Sequence, residues 1–369
     1  MDMATTQLPR IAIASGDPAG IGPEISLKAA LDPHVRRMCR PLVVGDPMVL
    51  QTHARAARIA TPLNVVTAPR AADWTSDAVN LLAVPMPGRA EVKFATNDAA
   101  CGQAALASCS RAIRAALDGD VEAVVAAPQN QTSIAAANIP FDGHPSFVAR
   151  ETGMNVHDVF MMLWFGNTRI VHCTLHVSVA RAIALITLDR VGRAIQATDT
   201  ALRHFGIAAP KILVSGLNPH AGEGGLFGRE EMEIIAPAIA EARRTGIDVA
   251  GPFGCDTMFN QTGADAFVVM LHDQGHIAAK LQSPNQAAAF VIGSPILFAS
   301  VAHGSAFDIA GKGIASPVAM IEAIARLSAV RHDTDAQFLY AQSEASHERN
   351  GPPRRLAQRR IGRHRRGDQ

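Results

Sequence analysis

The chain has 369 residues, 48% of them hydrophobic and 18% charged, with a formal net charge of +1; this is enough for two domains or one large α/β unit and has the balance of a soluble enzyme. No stretch approaches the roughly 18 uninterrupted apolar residues of a membrane span. Met1-Asp2-Met3-Ala4 lacks the basic start and apolar run of a signal peptide, so a cytoplasmic protein with no membrane partner is expected.

In chain order, Arg10–Pro18 reads as a short apolar strand running into a Gly/Pro turn, and Gly22–Ala30 opens a helix with Pro23 early and Glu24 in its first turn. Arg40–Pro47 is a second strand ending in a turn. Ala100–Asp118 is an Ala-rich helix, and Val121–Pro128 a buried strand. Further strands are expected at Thr168–His172, Lys211–Gly216, Ala266–Leu271 and Ala288–Ile292. Helical patterns separate them at Leu188–His204 and Glu230–Thr245, and the last core helix is Pro317–Arg331. This alternation predicts an α/β fold with a largely parallel sheet, its sites at the strand ends. Five unpaired-looking cysteines (Cys39, Cys101, Cys109, Cys173, Cys255) read as reduced and mostly buried. Between Ser346 and Gln369 eight Arg stand against Glu348 and Asp368; this net +6 leaves −5 on the rest of the chain. The tail 346–369 has too few apolar residues to order itself and is expected to be disordered, the alternative being contact with an anionic surface. The body shows no basic stripe or aromatic platform, so nucleic acid is not the expected partner.

Three histidines carry the chemistry. His176 follows Thr174-Leu175, His220 follows Asn218-Pro219, and His272 precedes Asp273-Gln274-Gly275. Three neutral imidazoles with an open position suit a catalytic divalent metal, zinc above all. Spacing alone leaves buried structural histidines equally open, because there is no His-Glu-x-x-His helix or zinc-finger spacing. Gly16-Asp17-Pro18-Ala19-Gly20-Ile21-Gly22 is not a dinucleotide fingerprint: its glycine spacing is wrong and prolines remove amide donors.

That segment, Gly216–Glu223, Gly251-Pro252 with Asp256-Thr257, His272–Gly275 and Val301–Ala306 occur in an order that resembles the 4-hydroxythreonine-4-phosphate dehydrogenase family of vitamin B6 biosynthesis, over about Arg10–Leu327. The resemblance implies a two-domain α/β fold like that of isocitrate and isopropylmalate dehydrogenases, with a cleft between the domains and no Rossmann fingerprint. The expected domains are 1–140 plus 290–335, and 141–289. It also implies a homodimer with shared active sites, NAD or NADP, and a divalent metal (zinc first, then magnesium, manganese or iron) on His176, His220 and His272. His172 is not part of the family pattern and reads as structural.

The substrate pocket departs from relatives that bind a phosphorylated substrate. Gly143-His144-Pro145 replaces Gly-His-Thr, Ala289 and Phe298 stand where those relatives have Asn and Arg, and Ala302 replaces an Asp. Phe298 cannot supply a guanidinium fork for phosphate. The sequence is more similar to the branch that acts on 1,2-dihydroxy-3,5-cyclohexadiene-1,4-dicarboxylate, through Arg169–His172 with Thr174–His176, Met270–Ile277, Lys280-Leu281, Pro284-Asn285, and Ser300-Val301 with His303–Ala306. The implied chemistry is metal-assisted oxidation of a secondary alcohol in a small carboxylate, hydride passing to the nicotinamide, with decarboxylation. Lys280 is the candidate for proton transfer or carboxylate binding, or else a solvated surface lysine. Asp256 orients a ligand histidine or takes the hydroxyl proton, and His144 holds a carboxylate or hydroxyl. Gly293 and Ala289 are the candidates for the dinucleotide site. The competing readings are a phosphorylated hydroxythreonine or threonate substrate and a catalytically silent ligand binder.

Overall fold

Twelve strands hydrogen-bond into one sheet in the computed structural model, which describes residues 8–88, 91–283 and 287–331. The tail 346–369, Met1–Ala4 and the Pro284-Asn285 pair lie outside the described residues. In chain order the strands are β1 (Arg10–Ala14), β2 (Arg40–Gly45), β3 (Leu63–Val66), β4 (Val79–Ala83), β5 (Ala123–Ala126), β6 (Phe160–Phe165), β7 (Thr168–His172), β8 (Lys211–Ser215), β9 (Asp248–Phe253), β10 (Ala266–Val269), β11 (Ala288–Ile292) and β12 (Leu297–Val301). Their order in the sheet is β3-β4-β2-β1-β5-β12-β11-β6-β7-β10-β8-β9.

The sheet is parallel except along β12-β11-β6-β7, where successive pairings are antiparallel. The expectation of an α/β fold with a largely parallel sheet therefore holds, with an antiparallel seam at its middle. Two tight connections make the seam: Gly166-Asn167 joins β6 to β7, and Gly293–Ile296 joins β11 to β12. Gly293 has φ +81°, and a side chain there would collide with the carbonyl of Asp158, so glycine is required by the turn itself.

Burial explains the strand sequences. The strands β1, β5, β8 and β10 are covered on both faces and so read as apolar runs rather than alternating ones. Fully buried Ile11, Ile13, Leu42, Phe160, Phe290 and Phe298 fill the layers between sheet and helices. The helix Ala99–Leu117 starts at an N-cap, Asp98, whose carboxylate accepts from the Ala100 N–H, and Gly102 lies against the Ser133 backbone with no room for a side chain. Thr187 caps the helix Leu188–His204 in the same way. Cys39, Cys101, Cys109 and Cys173 are buried, Cys255 is partly buried, and none is in a disulfide. Among the described residues, no helix is long and apolar enough to cross a membrane.

Candidate active site

The C-terminal ends of β5, β7, β10 and β12 open onto one cavity of about 650 Å³, the size of a small-molecule site. Its apolar floor follows from the pleat. Met161 and Leu163 of β6 pair with Val291 and Ala289 of β11, and all four face the cavity. Opposite lies one stripe of the helix His272–Gln282, where His272, His276 and Lys280 recur every fourth residue. His176, from the loop after β7, and His144, at the start of the helix His144–Thr152, complete the polar part.

His176 and His272 stand with ring centroids 5.5 Å apart. Nδ1 of His176 lies 2.9 Å from the Asp142 carbonyl oxygen, and Nδ1 of His272 lies 2.6 Å from Oδ1 of Asp273. An oxygen acceptor on Nδ1 fixes the proton there and turns Nε2 outward as a bare lone pair, the arrangement in which imidazoles ligate metals. These two residues fit a divalent cation. Gly143 is confined by the same group: a side chain on it would press to 3.0 Å from Nδ1 of His176.

His220 is not brought onto this wall. It lies in the turn Pro219–Gly225, where His220, Ala221 and Glu223 all have positive φ (55°, 53° and 45°). Non-glycine residues in that region carry strain of about 1–3 kcal/mol each, and such strain collects at functional loops. The buried carboxylate of Glu231 holds the loop, accepting from the Leu217 and Asn218 N–H groups at 2.7 Å each and from the Asn218 amide at 3.0 Å. Burial pushes Glu231 upward, but these donors outweigh it and hold its pKa below the usual value. Asp256 is here too, since Gly254 faces both its Oδ1 and the His220 backbone. Within one chain the described residues place no three His, Cys, Asp or Glu side chains so as to hold a metal ion. One chain thus presents His176 and His272 together and His220 with Asp256 apart from them.

The two groups are nonetheless tied. Gln274 accepts from the Met270 and Leu271 N–H groups at 2.9 Å each and donates to the Gly216 carbonyl at 3.1 Å, linking the start of the His272 helix to the root of the His220 loop. Gln274, Glu231 and His276 carry structure or line the cavity, and sequence reasoning did not single them out. The usable signal was the spacing of Gln274, three residues after the helix N-cap, as in a capping box.

His144 is uncharged: burial pushes its pKa down to about 4, and His176 adds to the effect. Among the described residues its buried Nε2 has no hydrogen-bond partner, nor has the amide of Gln129, which also lines the cavity. Phe298 does not line the cavity; it is fully buried and packs behind His144 with ring centroids 5.4 Å apart. Ala289 and Ala302 do line it, and Lys280 supplies its one Lys or Arg among the described residues. Gly293 lies away, on a smaller cavity of about 200 Å³ beside the helix Leu188–His204. His276 is stacked on His272, 3.7 Å apart at 8°, and burial and that neighbour push it down to about 4. His172, absent from the cavity lining, is buried behind His276 at 4.7 Å.

The pattern of the family described as pyridoxal phosphate biosynthetic protein PdxA matches residues 37–327. The chain is 40% identical to the 1,2-dihydroxy-3,5-cyclohexadiene-1,4-dicarboxylate dehydrogenase of Comamonas sp, over 87% of this chain and 97% of that one. It is 39% identical to the D-threonate 4-phosphate dehydrogenase of Cupriavidus necator, over 86% and 96%. Among solved structures, a terephthalate 1,2-cis-dihydrodiol dehydrogenase from Burkholderia xenovorans LB400 is 41% identical with a TM-score of 0.64, covering 88% of this chain and 98% of that one.

Proposed function

The chain belongs to the PdxA family of dehydrogenases, and on that premise we propose that it oxidises a cyclohexadiene cis-diol carboxylate of the terephthalate type, with loss of carbon dioxide. The observation that carries this reading is the character of the cavity. Its floor of Met161, Leu163, Ala289 and Val291 suits a ring, and its one Lys or Arg among the described residues, Lys280, suits one carboxylate better than a phosphate dianion.

A divalent metal on His176 and His272, zinc before magnesium, manganese or iron, would act as a Lewis acid on the substrate hydroxyl, and NAD or NADP would accept the hydride. The chain's own residues do the rest. Lys280 binds the substrate carboxylate or moves a proton at its Nζ. His144, uncharged and unpartnered at Nε2, hydrogen-bonds a substrate oxygen, and the apolar floor excludes water from the ring. The atoms balance: hydride leaves the carbinol carbon, the carboxylate leaves as carbon dioxide, and the hydroxyl proton lost in oxidation matches the one taken up afterwards. A dihydroxy aromatic acid remains.

His220 and Asp256 belong to the same reaction in a homodimer whose sites take His220 from a second copy. Large apolar side chains exposed near both groups support this, among them Leu281 (78%), Leu226 (72%) and Val179 (67%). The domains proposed are the half of the sheet from β3 to β12, residues 1–140 plus 290–335, and the half from β11 to β9, built largely from 141–289. Gly293 and Ala289 remain the proposed dinucleotide contacts, and Ala289 alone of them faces the cavity.

Purified protein loaded with zinc and given the cis-diol dicarboxylate with NAD or NADP should form reduced nicotinamide and carbon dioxide in equal amounts. Reduced nicotinamide without carbon dioxide, or neither, overturns the reading.

A further inference from the structure

His276 has no role in the reading above, yet it lines the same cavity one helical turn from His272. Nδ1 of His276 lies 3.1 Å from the His272 carbonyl oxygen. A carbonyl only accepts, so Nδ1 carries the proton, and in an uncharged imidazole Nε2 is then a bare acceptor. Among the described residues no hydrogen bond to that nitrogen is found.

Two properties define what can meet it. The rings of His272 and His276 are parallel at 3.7 Å, so an ion lying in the plane of one ring lies outside the plane of the other. A metal ion about 2.0–2.1 Å from one imidazole nitrogen cannot lie on the lone-pair axis of the other. His276 is therefore not a further ligand to an ion on His272. A bare nitrogen also repels carboxylate, phosphate and keto oxygens, which have no proton to give. What satisfies it is a donor beside the group bound at His272.

We propose that His276 is a specificity-determining residue whose Nε2 accepts a hydrogen bond from a second hydroxyl adjacent to the one that is oxidised, so that the site selects vicinal diols over monohydroxy acids. This rests on the dehydrogenase reading of the same cavity and adds to it the residue that reads the second hydroxyl. The neighbourhood supports a fixed ring: His172 packs against His276 at 4.7 Å and 49°, and Gly275 leaves no space between helix and strand.

The test is calorimetric binding of a cyclohexadiene cis-diol carboxylate and its monohydroxy counterpart to the zinc-loaded protein, with zinc content and turnover measured alongside. The variants are His276→Leu and His276→Gln, the glutamine carbonyl keeping an acceptor. Wild type should bind the diol at least about tenfold more tightly, the size of one well-formed hydrogen bond. His276→Leu should lose that preference without losing zinc or affinity for the monohydroxy acid, and His276→Gln should recover part of it. Equal weakening of both ligands, an unchanged preference, or loss of zinc from His276→Leu overturns the proposal. If wild type binds and oxidises the diol while His276→Leu matches it, this inference fails alone; a wild type that binds neither acid sinks it together with the functional reading.

Discussion

Gly275 faces the ring of His172 so closely that a Cβ on the glycine would collide with the imidazole Nε2. The contact locks the helix His272–Gln282 onto β7 and sets where His272 and His276 enter the cavity. Replacing an interior helical glycine by alanine usually stabilises by about 0.5–1 kcal/mol. Here overpacking of about 1–3 kcal/mol wins. Gly275→Ala should lower the melting temperature, and the double variant with His172→Ala should be less affected than the sum of the two, with Ile170 Cγ2 at 2.8 Å still pressing on the new methyl. Additive effects in the thermal melts would show that the contact is not what confines this position.

Asp273 anchors Nδ1 of His272 and should tune metal binding without touching the metal. Asp273→Asn keeps an acceptor but removes the charge, and it should weaken zinc affinity by about 10- to 100-fold with the fold intact. A chelator competition titration measures this directly. Unchanged affinity would mean that His272 is not a ligand.

If His220 completes the site of a second copy, His220→Ala and His272→Ala proteins should each be inactive but should complement when mixed and reassociated. A mixed dimer carries both lesions in one site and none in the other, so random pairing restores about a quarter of wild-type activity. Recovery of none would place all ligands in one chain.

Asp17 predicts a pH dependence of stability. Burial raises its carboxyl from 3.8 to about 6; the Ala19 N–H and the Ser133 hydroxyl oppose this, and Asp98 adds to it. The folded state therefore binds the proton more tightly than the unfolded chain. The stabilisation is complete below about pH 4 and is lost as pH rises through about 6, a difference of about 3 kcal/mol. Asp17→Asn keeps the oxygen that accepts from Ala19 and should abolish this dependence. Denaturant melts of both proteins at pH 4 and pH 7 give the answer: parallel changes would remove Asp17 as the source.

Much of this was legible in the chain. Apolar runs marked β1, β2, β5, β8, β10 and β11, because strands buried on both faces cannot alternate, and β7 was placed from the shorter apolar pair Ile170-Val171. β3, β4, β6, β9 and β12 were missed; Phe160–Phe165 and Leu297–Val301 are apolar runs that only pairing across the Gly166 and Gly293 turns makes into hairpins. Glu230–Thr245 was expected as one helix and begins with a π-turn at Glu231–Ile235, whose Glu231 side chain holds Asn218. The motifs located His176, His272, His144 and Lys280, whose residue types announce their chemistry. They could not show that His220 sits apart from the pair within one chain, because that depends on the run of six consecutive positive-φ residues from His220 to Gly225. Nor could they show that Phe298 backs His144 instead of lining the cavity, since that follows from which face of β12 it occupies.

On the proposed function, the cavity takes a ring-bearing cis-diol carboxylate and not a phosphorylated acid. The most direct test is kcat/KM of the zinc-loaded protein for the cyclohexadiene cis-diol dicarboxylate and for D-threonate 4-phosphate, measured side by side with the same nicotinamide. Turnover of the diol is expected, with the phosphorylated acid slower by at least about 100-fold, the value of roughly two missing charge-assisted hydrogen bonds. Preferential turnover of the phosphorylated acid would contradict it and would mean that Lys280 and its neighbours hold a phosphate without an arginine fork.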